Sequence, residues 1–368
     1  MKMIKIAIIG TGNIADNHIK SLLKFPERCK IVALVNRSIE KAIDKKNFFN
    51  LHDIQIFSSH EDLIKSSLKI DLVHICTPPS SHAHIATDCM GVGINVLVEK
   101  PMAISLEECD KMIEVERSNG VIMSVVAQNR FKNNYTNLKK LYNTNKAGKI
   151  KVAHIESLWW RGIPYYDLWW RGTWEKEGGG PTLNHAVHHI DLTNWIYGEM
   201  PKEVTAVMSN VMHPNSEVED ISLAILKYED GSLAQITSSV VHHGSEQRFE
   251  LQCENAKIGI TGETKANITL PNGFPIENSE LLEDLNNTYK SFPELLYTDF
   301  EGQIDNLLYS LETGNKPLIT STDGRNTIEL ITSIYKAAFT KQTVRLPIEH
   351  TESFYTFEGL LKNMKQAL

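Results

Sequence analysis

The chain changes its hydrophobic rhythm once, near residue 128. Before that point, short and nearly continuous apolar runs at Lys5–Ile9, Lys30–Asn36, Leu72–Thr77, Asn95–Glu99 and Val121–Ala127 alternate with helix-like stretches. The helical stretches cover Ile14–Phe25, a charged segment from Ile39, Ser81–Met90 and Leu106–Ser118. Apolar strands that alternate with helices predict a parallel sheet covered on both faces. A ligand of such a sheet lies beyond the carboxyl ends of its strands. After residue 128 strand-like segments follow one another at Lys151–Trp160, Glu203–Val211, Ile221–Tyr228, Leu233–His242 and Arg248–Cys253. Asp230-Gly231 is a hairpin signal between two of them. The expectation is an α/β domain over 1–127, then an α+β domain over 128–345 with a large, mostly antiparallel open sheet. A tail over 346–368 is expected to pack back on the body.

Composition narrows the function more than the fold. At 368 residues there is enough chain for two ordinary cores. The formal charge of −7 is mild and no dense basic block exists, so a nucleic-acid or polybasic membrane role is not expected. The five cysteines, Cys29, Cys76, Cys89, Cys109 and Cys253, are scattered with no C-x-x-C pair, which reads as free thiols in a reducing cytoplasm. The apolar run from Met3 to Ile9 is too short for a signal segment, and no stretch nears the roughly 20 apolar residues of a membrane helix. A cytoplasmic location is the expectation.

Gly10-Thr11-Gly12-Asn13-Ile14-Ala15 stands where the first strand meets the first helix and matches G-x-G-x-x-G/A. Gly10 allows the tight turn, Gly12 lets backbone approach a pyrophosphate, and Ala15 lets helix and strand pack closely. Asn13 and Ile14 begin the helix, whose free N–H groups and positive dipole end face the phosphates. At the end of the second strand, Asn36 stands where an acidic residue would hold a ribose 2′-hydroxyl, and Arg37 follows it. This pair leans to NAD, with NADP as the alternative.

Two further motifs follow in order: Glu99-Lys100-Pro101 after the fifth strand, and Gly178-Gly179-Gly180 ahead of Asn184-His185-Ala186-Val187-His188-His189-Ile190-Asp191. With the glycine loop, Thr77-Pro78, His82 and Asn129-Arg130-Phe131, the chain resembles the glucose–fructose oxidoreductase/inositol dehydrogenase/rhizopine-catabolism (Gfo/Idh/MocA) family along nearly its whole length. The resemblance implies an N-terminal Rossmann domain and hydride exchange between a nicotinamide and a hydroxyl-bearing carbon. It implies that Lys100 lies beside the nicotinamide and contacts the reacting hydroxyl. It also implies that His188 is the general base, that Asp191 binds substrate hydroxyls, and that Thr77, Pro78, His82 and Glu99 line the cofactor. The Lys100–Pro101 bond would be cis by the same resemblance. The chemistry agrees, since a base titrating near neutrality suits an alcohol proton and a fixed ammonium suits a developing alkoxide. One departure is Asn184, where many members carry aspartate; an amide can orient an imidazole but cannot stabilise its cation by charge.

The segment ahead of that motif concentrates Trp159, Trp160, Tyr165, Tyr166, Trp169, Trp170 and Trp174, with Arg161 and Arg171 in the echo Trp-Trp-Arg-Gly. Aromatic faces stack on sugar C–H faces, and equally fill cores or interfaces. We expect Trp160, Tyr166, Arg161, Arg171 and Asn184 to serve substrate, and a glycoside or other substrate larger than a bare polyol. This region also resembles family members that oxidise the C3 hydroxyl of sugars or glycosides. His185, His188 and His189 share a helical turn, but hydride chemistry needs no metal and none is expected. His242-His243-Gly244 is expected at a solvated hairpin end. The family resemblance implies a homo-oligomer (dimer, tetramer or hexamer) formed through the large sheet. Two other functions stay open: an NAD-dependent glycosidase working by transient oxidation and elimination, and a non-catalytic dinucleotide sensor.

Overall fold

A computed structural model describes residues 2–366, which divide into two compact units. The first comprises residues 2–128, 297–328 and 355–358. Its elements begin β1 (Ile4–Ile9), α1 (Asn13–Leu22), β2 (Cys29–Val35), α2 (Ile39–Phe48), β3 (Gln55–Phe57), α3 (His60–Lys65), β4 (Leu72–Ile75), α4 (His82–Gly91), β5 (Asn95–Val98), α5 (Leu106–Asn119) and β6 (Met123–Val125). The strands form one parallel sheet in the order β3-β2-β1-β4-β5-β6. That order reverses beside β1, the switch point at which dinucleotides bind in doubly wound sheets. The apolar runs are buried on both faces: Ile6, Ile8, Val73, Ile75, Val96 and Val98 are all sealed from solvent. Local chemistry sets the helix ends. Ser38, Ser59 and Ser105 accept from Lys41 N, Asp62 N and Glu108 N, and Gly120 closes α5 at φ 62°. The short edge strand β3 and helix α3 went unpredicted, because Gln55-Ile56-Phe57 is too brief to show a period.

The second unit comprises 129–296, 329–354 and 359–366. It opens with α6 (Asn133–Asn143), β7 (Ile150–Trp160), α7 (Pro181–Asn184) and α8 (Val187–Tyr197). The strands β8 (Glu203–Ser209), β9 (Ile221–Lys227), β10 (Leu233–Ser239), β11 (Val241–Cys253), β12 (Ala256–Gly259), β13 (Lys265–Thr269) and β14 (Pro275–Glu277) follow, then α9 (Ser279–Ser291). The chain then supplies α10 (Asp299–Thr313) to the first unit, and continues through α11 (Ser321–Thr340), β15 (Val344–Arg345) and α12 (Phe357–Gln366). The sheet order is β14-β13-β12-β11-β7-β10-β9-β8-β15, antiparallel except where β10 runs parallel to β7. One face carries Ala153, Ile155, Ala224, Leu226, Ala234, Ile236, Phe249 and Leu251, all buried. α7 and α8 pack on that sheet.

The expected Asp230-Gly231 turn is present, with Gly231 at φ 86° and Tyr228 N donating to Ser232 O. The expected strand Leu233–His242 is broken instead. β10 stops at Ser239, and β11 starts at Val241 with a register shift between Val241 and Ser245. His242-His243-Gly244 therefore lies in a bulge inside a long strand, not at a hairpin end. The bulge folds back on the unit: His242 Nδ1 meets Ser239 Oγ at 2.8 Å, and the His243 ring stacks on Trp160 at 4.1 Å.

Candidate active site

The glycine loop shows by sterics what it can hold. A Cβ on Gly10, whose φ is +93°, would fall 2.7 Å from the Cys76 carbonyl oxygen, so no side chain fits. A Cβ on Gly12 would meet nothing within 4 Å. Gly12 is the N-cap of α1 and offers no side-chain cap, so no capping side chain competes for the first N–H groups of the helix. Ala15 behind them is fully buried. The loop thus suits a pyrophosphate laid on a bare helix end. Asn36 Nδ2 donates to Thr11 Oγ1 at 2.6 Å, and Asn36 Oδ1 accepts from Ser38 N at 2.9 Å, so this amide braces the loop. Arg37 is exposed.

Glu99, Lys100 and Pro101 leave β5 with the Lys100–Pro101 bond in cis, as expected. His82 is fully buried, and its two ring nitrogens face Pro101 O and Thr77 O, each at 2.8 Å. It ties the Thr77-Pro78 segment to the Pro101 turn from behind. Glu99 is only 4% exposed; its Oε2 accepts from Lys100 N at 3.1 Å and its Oε1 meets His18 Nε2 at 2.8 Å. Desolvation would raise this carboxyl, but the His18 hydrogen bond, with the charges of His18 and Lys100, brings it below its ordinary value. His18, on α1, was not singled out in the sequence. A lone histidine in a helix gives no signal of what a distant strand end will place beside it.

In the second unit the Gly178-Gly179-Gly180 loop delivers the histidine helix, and Gly179 and Gly180 are sterically required there. A Cβ on Gly179 would lie 2.0 Å from Tyr335 Oη, and one on Gly180 would lie 1.9 Å from the Glu219 carbonyl oxygen. The buried Glu219 carboxylate accepts from Gly180 N (3.0 Å), Thr182 N (3.1 Å) and Tyr335 Oη (3.1 Å). Burial raises Glu219 and raises Glu177 to about 7, although Arg171 and the Gly172 N–H pull Glu177 down. Asn184 Nδ2 closes the loop by donating to Gly179 O at 2.7 Å and Gly180 O at 3.3 Å. Asn184, His185 and His188 remain partly exposed, while His189 and Asp191 are buried.

Asp191 is buried and paired within its own unit. Its Oδ2 and Oδ1 accept from Arg130 Nε and Nη2 at 2.9 and 2.7 Å, a bidentate pair inside the unit. Tyr166 is likewise core, 5% exposed with its ring against His213. Arg161 and Arg171, by contrast, do come together around the rings of the aromatic segment. The Arg171 guanidinium lies over Tyr165 and Trp170 at 4.1 and 4.2 Å. Arg161 lies 5.3 Å from both the Trp159 and Tyr165 ring centres. The His185 ring sits 6.0 Å from both of those rings. The result is a surface of rings and guanidinium groups joined to the His188 segment. Trp160, next to Trp159 on β7 and so on the other face of the strand, stacks on His243 instead. Among the described residues, His60, Glu61 and His84 could share a metal ion. They lie on α3 and α4 and include none of the residues discussed above.

A family model described as oxidoreductase family, NAD-binding Rossmann fold matches residues 4–127, and the Gfo/Idh/MocA C-terminal domain model matches 135–259. The chain belongs to the Gfo/Idh/MocA oxidoreductases. Its Rossmann unit is accordingly NAD-binding, and the protein is an NAD-dependent oxidoreductase. It is 23% identical over 347 residues to a myo-inositol 2-dehydrogenase of Thermotoga maritima, covering 93% of this chain and 98% of that one. It is 26% identical over 266 residues to a 2,7-anhydro-N-acetylneuraminate hydratase of Mediterraneibacter gnavus, covering 71% and 68%. The fold matches that of the WlbA dehydrogenase of Bordetella pertussis, solved with NADH and UDP-GlcNAcA. That match has a TM-score of 0.81 at 23% identity over 95% of this chain and all of that one. Among the described residues no helix is long and apolar enough to cross a membrane.

Proposed function

We propose that this Gfo/Idh/MocA oxidoreductase oxidises a secondary hydroxyl, at C3 in our reading, of a sugar, glycoside or cyclic polyol. The observation that carries the proposal is the partly exposed Asn184-His185-His188 turn, set by a sterically required glycine loop and flanked by the ring-and-guanidinium surface. Inositol and sugar derivatives in the names of relatives fit the same substrate class. NAD, when bound, supplies the hydride acceptor. Gly10, Gly12, Asn13 and Ile14 would hold its pyrophosphate, Thr77 and Pro78 would flank it, and Asn36 and Arg37 would meet the adenosine ribose. Nothing acidic stands at Asn36 to repel a 2′-phosphate, so NADP remains the alternative cofactor.

His188, on the first turn of α8, takes the hydroxyl proton, and the Lys100 ammonium steadies the oxygen as negative charge grows on it. Trp160, Arg161 and Arg171 bind the rest of the substrate, the rings against C–H faces and the guanidinium groups against hydroxyls. Tyr166 and Asp191 act from behind, by packing and through Arg130. We place the protein in the cytoplasm as a homo-oligomer that joins through the exposed face of the nine-stranded sheet.

The test is incubation with NAD or NADP and a panel of sugars, inositols and aryl glycosides, following reduced nicotinamide and product mass together. A product lighter by two hydrogens is expected. Lys100→Ala and His188→Ala should each lower kcat by about 10²–10⁴-fold while NAD binding persists. Free sugar released without net reduced cofactor would favour the NAD-dependent glycosidase, a reading that a hydratase among the relatives makes specific. No turnover on any substrate with NAD still bound would favour a sensor.

A further inference from the structure

One fully enclosed histidine of the NAD-binding unit has no part in the reaction sketched above. His18 projects from α1 into the sheet with no exposure at all. Its Nδ1 meets His74 Nδ1 on β4 at 2.9 Å, its Nε2 meets Glu99 Oε1 at 2.8 Å, and Phe300 of α10 covers it edge-on at 5.2 Å. Cys76 completes the surroundings and is buried. A chain of contacts therefore runs from His74 through His18 and the Glu99 carboxylate to the Lys100 N–H. A buried carboxylate without a partner is costly, and it protonates or moves when its partner is removed.

We propose that His18 is a positioning residue: by donating through Nε2 to Glu99 it fixes the carboxylate that holds the Lys100 backbone, and so places the Lys100 ammonium. The proposal rests on Lys100 being the residue at the reacting hydroxyl. Charge and geometry support it together. Burial alone would lower His18, yet Cys76 and the Glu99 carboxylate outweigh that and raise it, while burial and His18 itself hold His74 well below its ordinary value. Both directions favour a proton on the ring nearer Glu99 over one on the His74 ring. Groups supported in this way hold a reacting side chain to within a fraction of an ångström.

Two amides separate positioning from mere packing. By chain length, His18→Gln keeps a donor at the Nε2 place facing Glu99, whereas His18→Asn keeps one only at the Nδ1 place facing His74. If His18 acts through Glu99, the Gln variant should retain kcat within about fivefold, and the Asn and Ala variants should lose on the order of 10²-fold with KM little changed. A substrate-independent measurement keeps this apart from the proposed function: the rate of Lys100 acetylation by acetic anhydride in the NAD-free protein, read by mass spectrometry across pH. Asn and Ala should alter that rate by about threefold or more, the equivalent of half a pKa unit, and Gln should not. Melting temperatures taken on the same samples show whether each variant is folded. Should His18→Ala fail to fold, the two amides, which fill more of the space, decide the matter. Equal behaviour of Gln and Asn, or unchanged Lys100 acetylation in both, would overturn the proposal. Altered acetylation without turnover on any substrate would uphold the positioning role and count against the proposed activity instead.

Discussion

Asn184 illustrates how a residue located by motif can also carry a structural task. Its place beside His188 suggested an orienting amide, and the structure shows that amide bonded to the carbonyls of Gly179 and Gly180. Asn184→Asp would aim a carboxylate at two carbonyl oxygens. We expect it to cost about 1–3 kcal/mol in urea unfolding at pH 8, with the loss shrinking as the carboxyl protonates. The pH–rate profile should move as well, because a negative charge near His188 favours its cation. A profile unchanged in Asn184→Asp would show that residue 184 does not communicate with the base. Gly180→Ala is a simpler case: its Cβ would overlap Glu219 backbone, which a rotamer change cannot relieve. A loss of at least about 3 kcal/mol is expected, measured by chemical denaturation. Glycines, lysine and histidine at fixed spacing were legible in the sequence because the chemistry prescribes them locally. The Arg130–Asp191 pair and the His18–Glu99 pair were not, since each joins residues more than 60 positions apart.

At the scale of elements, legibility followed length and regularity. The long apolar strands and the capped helices fell where expected within a few residues. The break between β10 and β11 did not, because Ser238-Ser239-Val240-Val241-His242 keeps strand-like composition through the bulge. Helix α8 shows a further consequence of burial. His189, one residue beyond His188, is enclosed, with its Nε2 3.4 Å from Tyr135 Oη. Burial first, then the Lys132 charge, lowers it to about 4 from 6.5. Below pH 6.5 the unfolded chain takes up a proton that the folded chain refuses, so this contribution is present above 6.5 and is lost as pH falls towards 4. Buried Glu177 has the opposite sign: raised to about 7, it keeps its proton when folded, and its contribution is lost as pH rises from 4.5 to 7. His189→Phe should therefore narrow the stability difference between pH 7 and pH 5 by about 2 kcal/mol, measured by urea unfolding at both values. An unchanged difference would mean that His189 titrates in the folded protein as it does in the unfolded chain.

For the whole molecule, the surface pattern carries information that motifs do not. On β8 and β9, Val207 and Leu223 pair directly, as do Thr205 and Ile225, and these side chains share one face of the sheet. Val207 is 63% exposed, Ile225 54% and Leu223 42%, so the outward face at this end is aliphatic where a lone sheet would be polar. Moving across β7 and β11 the same face turns to His154, Glu156, Arg248 and Glu250. An apolar patch with a polar border is the pattern of an association surface, and a second copy related by a two-fold axis would cover like with like. The chain should therefore elute at a multiple of its 41.6 kDa mass, and Ile225→Asp should shift it to that of one chain by burying an unpaired carboxylate at the contact. The exchange is measured by light scattering at several concentrations. Because residue 225 is exposed within its own unit, the variant should keep the wild-type circular dichroism spectrum. A wild-type protein that scatters as a single chain at every concentration would leave the aliphatic face unexplained by self-association, and the sheet would then have to be assigned to another partner.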